Sequence, residues 1–356
     1  MRINKKKLLV IIQGNVGGAE RMAVTVTKGL DPQLYDMTYY LVGMSNDNTF
    51  PIEDFIPRHW KVRHIRKSPP AILMIKLFWV LLKELPDTVF STTLYINGKL
   101  LLFRNLFPNI RFVTRCENYL YTFKQIQLKR MRVAYRKADV IIAQTEEMKQ
   151  ELLEQLGIKE NKVVVLHNPV DIKTIDNKLN NCVTPYPSDN MCHICACGKF
   201  SHQKGFDLLI EAFSLVKNEI GNISLYIIGK NDGASSTYYE MLLNKAKRLS
   251  CDKDIVFTGF QNNPYKYIKY ADCFVLSSRW EGLPNVMLES LYLGTPVAAF
   301  KCIPIIERII NEGKDGYLAE KENVVSLASA IKNACNLGRI KSSYQSSTVE
   351  DFYELF

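Results

Sequence analysis

Residues 277–296 read SSRWEGLPNVMLESLYLGTP. The apolar run just before them, Cys273–Leu276, reads as a strand, and Glu281-Gly282-Leu283-Pro284 reads as a turn. A helix is expected to begin near Asn285 and to stop at Gly294, with Pro296 just beyond. A helix N-terminus at the carboxyl end of a strand offers backbone N–H groups and a positive dipole end, which suits a phosphate. Leu283, Asn285, Val286 and Met287 are the residues at that end. The same stretch holds two carboxylates, Glu281 and Glu289, eight positions apart. Carboxylates beside an anion site repel phosphate, so these two are expected to face hydroxyl groups. Phosphate together with many hydroxyls describes a nucleotide sugar. A plain strand–turn–helix with two exposed glutamates is the alternative.

Two further loops have the same form. Gly198-Lys199-Phe200-Ser201-His202-Gln203-Lys204-Gly205 follows the strand-like run Met191–Cys197 and precedes an amphipathic run, Phe206–Val216. Two lysines on a loop are ordinarily solvated surface; the flanking glycines and the upstream strand favour an anion site. Near the amino end, the β-branched and leucine-rich run Lys7–Gln13 leads into Gly14-Asn15-Val16-Gly17-Gly18-Ala19-Glu20-Arg21 and a helical pattern to Leu30. Missing side chains at Gly17 and Gly18 let backbone amides approach an anion. The spacing is not Gly-x-Gly-x-x-Gly, so a nicotinamide dinucleotide is not indicated.

Taken together, these stretches resemble the family 4 retaining glycosyltransferases (glycosyl transferases group 1). Glu281-x7-Glu289 followed by Leu-Gly-Thr-Pro-Val is similar to the family's donor-site signature, and Glu-Gly-Leu-Pro-Asn-Val resembles the subset linked to UDP-sugars. The lysine loop is similar to the family's Gly-Arg-Leu-(x)-Lys-Gly loop, with Lys199 where Arg is usual. That exchange keeps the charge and loses the bidentate fork. The resemblance implies an α/β chain of the GT-B fold, two Rossmann-like doubly wound domains facing each other across a cleft. It implies a hexosyltransferase that moves a sugar from a UDP-hexose or UDP-N-acetylhexosamine to a lipid-linked or surface-polysaccharide acceptor such as capsule or O-antigen. In that assignment Lys199 and Lys204 meet the diphosphate, Glu281 lies near the donor sugar, Glu289 takes the ribose, and Gly17 and Gly18 face the donor. No metal or other cofactor is expected. Many members carry a His after the strand that Arg111–Thr114 matches; here the segment reads Thr114-Arg115-Cys116-Glu117-Asn118. Arg115, Glu117 and Asn118 are therefore acceptor-side candidates, with a structural Glu–Arg pair as the alternative. A GDP-mannose-dependent mannosyltransferase, a sugar-nucleotide epimerase and a non-catalytic nucleotide-sugar-binding subunit are the competing readings.

Strand-like runs alternate with helical ones along the whole chain: Met37–Val42, Thr88–Phe90, Arg111–Thr114, Val140–Ala143 and Val163–Leu166, then Cys192–Cys197, Ser224–Ile228, Asp254–Phe257, Cys273–Leu276 and Val297–Phe300. Such alternation predicts mainly parallel sheets. At 356 residues the chain suits two domains. The expected division is an acceptor-side domain over 1–170, a polar linker over 171–190, a donor domain over 191–341 and a tail over 342–356 that returns to the first domain. No 18-residue uncharged apolar stretch occurs. The basic start, residues 1–7, reads as the approach to the first strand rather than a signal peptide, so a cytoplasmic location is expected. Nine cysteines with no framework spacing suit a reducing compartment. Cys192-His193-Ile194-Cys195-Ala196-Cys197 lacks a second ligand pair at finger spacing, so zinc is not expected.

Charge is unevenly spread. Residues 1–170 hold 26 Lys/Arg against 15 Asp/Glu, a net of +11, and residues 171–356 hold 20 against 21, a net of −1, which together make the chain's +10. With no nucleic-acid motif in view, an anionic membrane surface is the expected partner of the basic half. Two segments are candidates for the contact. Ser68–Leu85 is an apolar helix with Lys76 and Lys83 on one face, or else a core helix with snorkelling lysines. Tyr119–Lys137 carries the stripe Lys129, Arg132 and Arg136, either a solvated face or a site for headgroups or an acceptor diphosphate.

Overall fold

The computed structural model describes residues 5–15, 17–43, 52–187, 190–229 and 236–356. In chain order the first half runs β1 (Lys6–Gln13), α1 (Gly18–Thr27), β2 (Tyr35–Val42), β3 (Lys61–Ile65), α2 (Pro70–Glu84), β4 (Thr88–Ser91), α3 (Leu94–Leu100), β5 (Arg111–Arg115), α4 (Gln125–Tyr135), β6 (Val140–Ala143), α5 (Glu146–Leu156) and β7 (Val163–Val165). The second runs α6 (Ile172–Leu179), β8 (Cys192–Cys197), α7 (Phe206–Ile220), β9 (Ile223–Ile228), α8 (Ser236–Arg248), β10 (Ile255–Gly259), α9 (Tyr265–Tyr270), β11 (Cys273–Leu276), α10 (Asn285–Tyr292), β12 (Val297–Phe300), α11 (Pro304–Ile309), β13 (Gly316–Ala319) and α12 (Val324–Cys335). Val16, inside the first glycine loop, lies outside the described residues, as do the start of the chain before Lys5 and residues 188–189 of the expected linker.

The strands form two separate parallel sheets, ordered β3-β2-β1-β4-β5-β6-β7 and β10-β9-β8-β11-β12-β13. Central strands buried on both faces need continuous apolar sequence rather than alternation. Val-Ala-Ala-Phe in β12 and the Leu8–Ile12 stretch of β1 are accordingly buried throughout. In each sheet the order reverses beside the first strand, at β1/β4 and at β8/β11, and ligands of open α/β sheets sit beyond the carboxyl ends of the strands at such points. The two strands that the apolar pattern missed, β3 and β13, are both sheet edges. Only Ile65 of β3 is buried, and β13 is four residues long and opens on a glycine.

The chain divides into two units, one running to Pro169 and completed by Ser346–Phe356, the other spanning Val170–Gln345. In the first, Phe352, Leu355 and Phe356 join the cluster of Leu8, Val10, Met22, Tyr39 and Phe90, and the Phe356 ring lies 5.0 Å from that of Phe90. Within the segment 171–190, expected as a linker, the described residues 171–187 include a helix and a packed aromatic. Asp171 caps α6 by accepting from the Thr174 amide at 3.3 Å, and Ile175 is fully buried. Tyr186, between the two prolines, stacks on His193 at 4.6 Å and donates to the Tyr267 carbonyl at 2.8 Å. Pro185 and Pro187 punctuate this segment without loosening it, because the aromatic between them is an anchor.

Candidate functional site

In the second unit the lysine loop leaves the carboxyl end of β8 and enters α7 through a 3-10 turn, His202–Lys204. Gly205 closes that turn at φ +62°, and a Cβ there would overlap the carbonyl oxygen of Ser277, so both backbone conformation and space require glycine. Phe200 is buried among the rings of Phe206, Tyr239 and Phe257 and anchors the loop's middle. Lys199, beside it, is exposed. The Lys204 stem folds back along Gly198, and its Nζ reaches Glu281 Oε1 at 2.6 Å. The same carboxylate oxygen accepts from the Ser278 hydroxyl at 2.6 Å. Two residues 77 positions apart in sequence are thus brought together at the β8/β11 switch point.

The turn after β11 is riveted to this loop. The Arg279 amide donates to Gln203 O at 2.8 Å, Gln203 Nε2 to Trp280 O at 3.0 Å, and the Ser277 hydroxyl to Lys204 O at 2.8 Å. The Arg279 side chain, 7 % exposed, donates to His202 O at 2.7 Å and to both oxygens of Asp207 at 2.9 and 2.7 Å, with Glu322 at 3.1 Å. Burial works to raise the Asp207 carboxyl, but the Arg279 bonds and the Tyr238 hydroxyl at 2.7 Å outweigh it and hold it down at about 2. Its bonds to Asp207 in turn push the Arg279 guanidinium up. Ser277, Ser278, Arg279 and Asp207 were not singled out from the sequence. Arg279 stands two places before Glu281 in the decisive stretch, but its partner is 72 residues away and carries no local signal.

α10 begins at Asn285 after Pro284, with no side-chain cap. Leu283 is buried, and Asn285 and Val286 are half-buried. Met287, expected among the donor amides, is fully buried, and its N–H donates to Pro284 O at 3.1 Å in the first turn. Glu289, 5 % exposed, lies under the Tyr265 hydroxyl of α9 at 3.5 Å. Asp252-Lys253-Asp254 is an Asp-x-Asp pattern that the metal-free reading passed over. It forms a 3-10 turn at the amino end of β10, away from the strands' carboxyl ends, and Asp254 is ion-paired with Lys217. Among the described residues no group of three His, Cys, Asp or Glu is disposed to hold a metal.

In the first unit, Gly17 is the N-cap of α1, without a side-chain cap, and Gly18 is its first residue, open to the space around it. A Cβ on Gly17 would overlap the Glu20 carboxylate. Burial pushes the Glu20 carboxyl up to about 7; its own amide and Arg115 oppose the shift, and Glu117 adds to it. Arg115, at the end of β5, is 3 % exposed, and burial draws its guanidinium down to about 10. Its Nη2 donates to Asn168 at 2.6 Å, Asn168 donates to Gln144 at 3.2 Å, and Gln144 donates to the carbonyls of Cys116 and Glu117 at 2.9 Å each. Glu117, raised by burial, accepts from the Leu94 amide at the start of α3 at 3.2 Å, and the Asn118 carbonyl accepts from Cys116 Sγ. Arg115 Nε and the hydroxyls of Thr92 and Thr93 are buried with no hydrogen-bond partner among the described residues. Orphaned buried donors in one neighbourhood are unusual and ask for a ligand or an ordered water.

Residues 189–347 match the family model described as glycosyl transferases group 1, and residues 16–174 match glycosyltransferase family 4. An uncharacterized glycosyltransferase of Haemophilus influenzae is 26 % identical over 330 residues, 89 % of this chain and 86 % of the relative. The N-acetylgalactosamine-N,N'-diacetylbacillosaminyl-diphospho-undecaprenol 4-alpha-N-acetylgalactosaminyltransferase of Campylobacter jejuni is 25 % identical over 211 residues, 59 % of this chain and 54 % of that protein. Among solved structures, Anabaena HepE in complex with UDP superposes with a TM-score of 0.77 at 18 % identity, over 98 % of this chain and 97 % of that one.

Proposed function

Matched in both halves, the chain belongs to the family 4 glycosyltransferases of GT-B fold, and we propose that it moves a sugar from a UDP-sugar to a lipid-linked or polysaccharide acceptor with retention of anomeric configuration. The observation that carries this reading is the Lys204–Glu281 pair at the β8/β11 switch point. Breaking a sugar–phosphate bond puts negative charge on the departing diphosphate, and fixed cations and helix N-terminal amides aimed there lower the barrier. Lys204 and Lys199 supply the cations, and the α10 start with Asn285 and Val286 supplies the amides. Glu281 accepts from the donor sugar's hydroxyls and Glu289 from the ribose. On the first unit the reading takes Gly17 and Gly18 as donor contacts and Arg115, Glu117 and Asn118 as acceptor contacts. The departing phosphate takes the acceptor's proton as the new bond forms on the same face, so no metal is required. The diphospho-undecaprenol in the Campylobacter relative's name supports a lipid-linked acceptor, and the UDP in HepE supports the base. The enzyme then works at the cytoplasmic side of a membrane.

A melting series with UDP, GDP, ADP and CMP, repeated with UDP-sugars, tests the donor. Binding to the native state alone must raise the melting temperature. A UDP-selective rise, absent in Lys204→Ala, is expected. A rise with GDP alone moves the reading to a GDP-mannose-dependent mannosyltransferase, and no rise with any nucleotide removes the active-transferase reading.

A further inference from the structure

α2 buries one narrow stripe, Leu73, Leu77 and Leu81, and leaves its opposite side apolar and exposed. Ile72 is 47 % exposed, Ile75 58 %, Trp79 61 % and Leu82 43 %. At 3.6 residues per turn these four fall within an arc of roughly 80°, and Lys76 and Lys83 lie together along one border of it. The patch continues beyond the helix. Phe78 packs on Phe103 and Phe107 at 5.6 and 5.7 Å, joining α2 to the 3-10 turn Leu101–Leu106, where Leu102 and Leu106 are also exposed. Soluble monomers seldom leave a contiguous apolar surface of this kind without a use for it.

The rim identifies the partner. Arg66 and Lys67, just before the helix, are exposed, as is Lys83. The only acid in α2, Glu84, takes the Tyr40 hydroxyl at 2.7 Å. An apolar stripe bordered by cations, in the half of the chain with a net charge of +11, repels a second copy of itself and attracts an anionic interface. Fifteen helical residues span about 22 Å, short of a bilayer core, so the helix would lie along the surface. In the other basic segment Lys129, Arg132 and Arg136 are exposed, and two of the three also bond a neighbouring helix. Arg132 Nη2 donates to Gln155 O at 2.7 Å and Arg136 Nε to Leu156 O at 3.0 Å, so both serve the carboxyl end of α5.

We propose that the outward face of α2, centred on Ile75 and Trp79, docks this protein on an anionic lipid membrane. The proposal deepens the lipid-linked-acceptor reading and rests on it for its purpose only. Vesicle binding needs neither donor nor acceptor, and stabilisation by UDP needs no vesicles, so the two can fail separately. The test is co-sedimentation of the full chain with phosphatidylcholine vesicles, with and without about a third phosphatidylglycerol, with tryptophan emission recorded in parallel. Binding to the anionic vesicles that weakens with salt, with a blue shift of emission, is expected. Ile75→Glu and Trp79→Glu should each lower the bound fraction about tenfold while leaving melting temperature and the UDP response unchanged, because both side chains are exposed. Trp79→Phe should keep binding and lose the blue shift. Equal binding by the glutamate variants, no binding to anionic vesicles, or a concentration-dependent dimer dissolved by Ile75→Glu would overturn the proposal; the last would assign the face to a second copy.

Discussion

The glycine loops after β1 and β8 occupy corresponding places, each leaving the strand beside which its sheet order reverses, yet their charges are handled in opposite ways. In the second unit the two cations that join the lysine loop to the turn after β11 are both paired. Arg279 is forked to Asp207, and Lys204 is bonded to Glu281. In the first unit Glu20 is buried at the start of α1 with its proton affinity raised, and Arg115 keeps a buried Nε with no hydrogen-bond partner among the described residues. Fully paired charges hold a loop in one geometry before any ligand arrives, which is what electrostatic stabilisation of a leaving group requires. Incompletely paired charges are costly in isolation and become favourable only when something else completes them. The lysine loop is therefore held in place by its own ion pairs, whereas the first unit leaves a buried donor of Arg115 without a hydrogen bond among the described residues.

The largest effect should come from breaking the fork. Arg279→Met leaves the half-buried Asp207 carboxylate without its cation and should cost about 3 kcal/mol of stability. Urea unfolding reads this directly, and a midpoint unchanged from wild type would deny the loop its rigid clamp. Next, Lys204→Ala should reduce transfer about 10²- to 10³-fold with the fold intact, measured as kcat/KM for donor turnover. Glu281→Gln separates binding from chemistry: removing a carboxylate beside the anion site should leave UDP binding equal or tighter while transfer falls. If calorimetry shows UDP binding weaker in that variant, the carboxylate is holding Lys204 in place and is not simply meeting the sugar.

The comparison also predicts opposite responses to pH. Asp207 sits at about 2 in the folded chain, below its ordinary value of 3.8, so the stability it contributes is present above pH 4 and is lost as pH falls through 2. Screened by solvent, that contribution is about 1 kcal/mol, and Asp207→Asn should remove most of this acid dependence. Glu20, raised from 4.5 to about 7, has the reverse sign: its contribution is full below pH 4.5 and is lost as pH rises through 7. Glu20→Gln should therefore gain on the wild type as pH rises from 4.5 to 7 and stay level above that. Melting curves across pH 4–8 check it, and a gap that stays constant would mean that folding leaves the Glu20 carboxyl at its ordinary value. The smallest effect should be Lys199→Arg, which restores a bidentate donor on the exposed loop and should tighten UDP by a few-fold, about 1 kcal/mol at most.

Local order alone settled the fold class and the places of the glycine loops. Apolar runs such as Val140–Ala143 and Cys192–Cys197 are strands with the boundaries read from sequence, because a strand buried on both faces has no other way to be written. Glycine loops followed by helical periodicity marked the carboxyl ends of β1 and β8, and the Glu281 turn after β11 was legible for the same reason. Edge strands β3 and β13 were not, since an edge needs few apolar residues, and the helix in 171–179 was hidden because Ile175 alone is buried. Tertiary structure decided everything that depends on distance. It chose Asp207 from 72 positions away as the anchor of Arg279, and it used Arg132 and Arg136 to finish α5. It also turned Ile75 and Trp79 outward from a helix whose composition suits a core equally well. Hydrophobic periodicity is a property of neighbours along the chain, whereas ion pairing and exposure depend on which distant surface arrives to cover a side chain, and only the folded chain determines that.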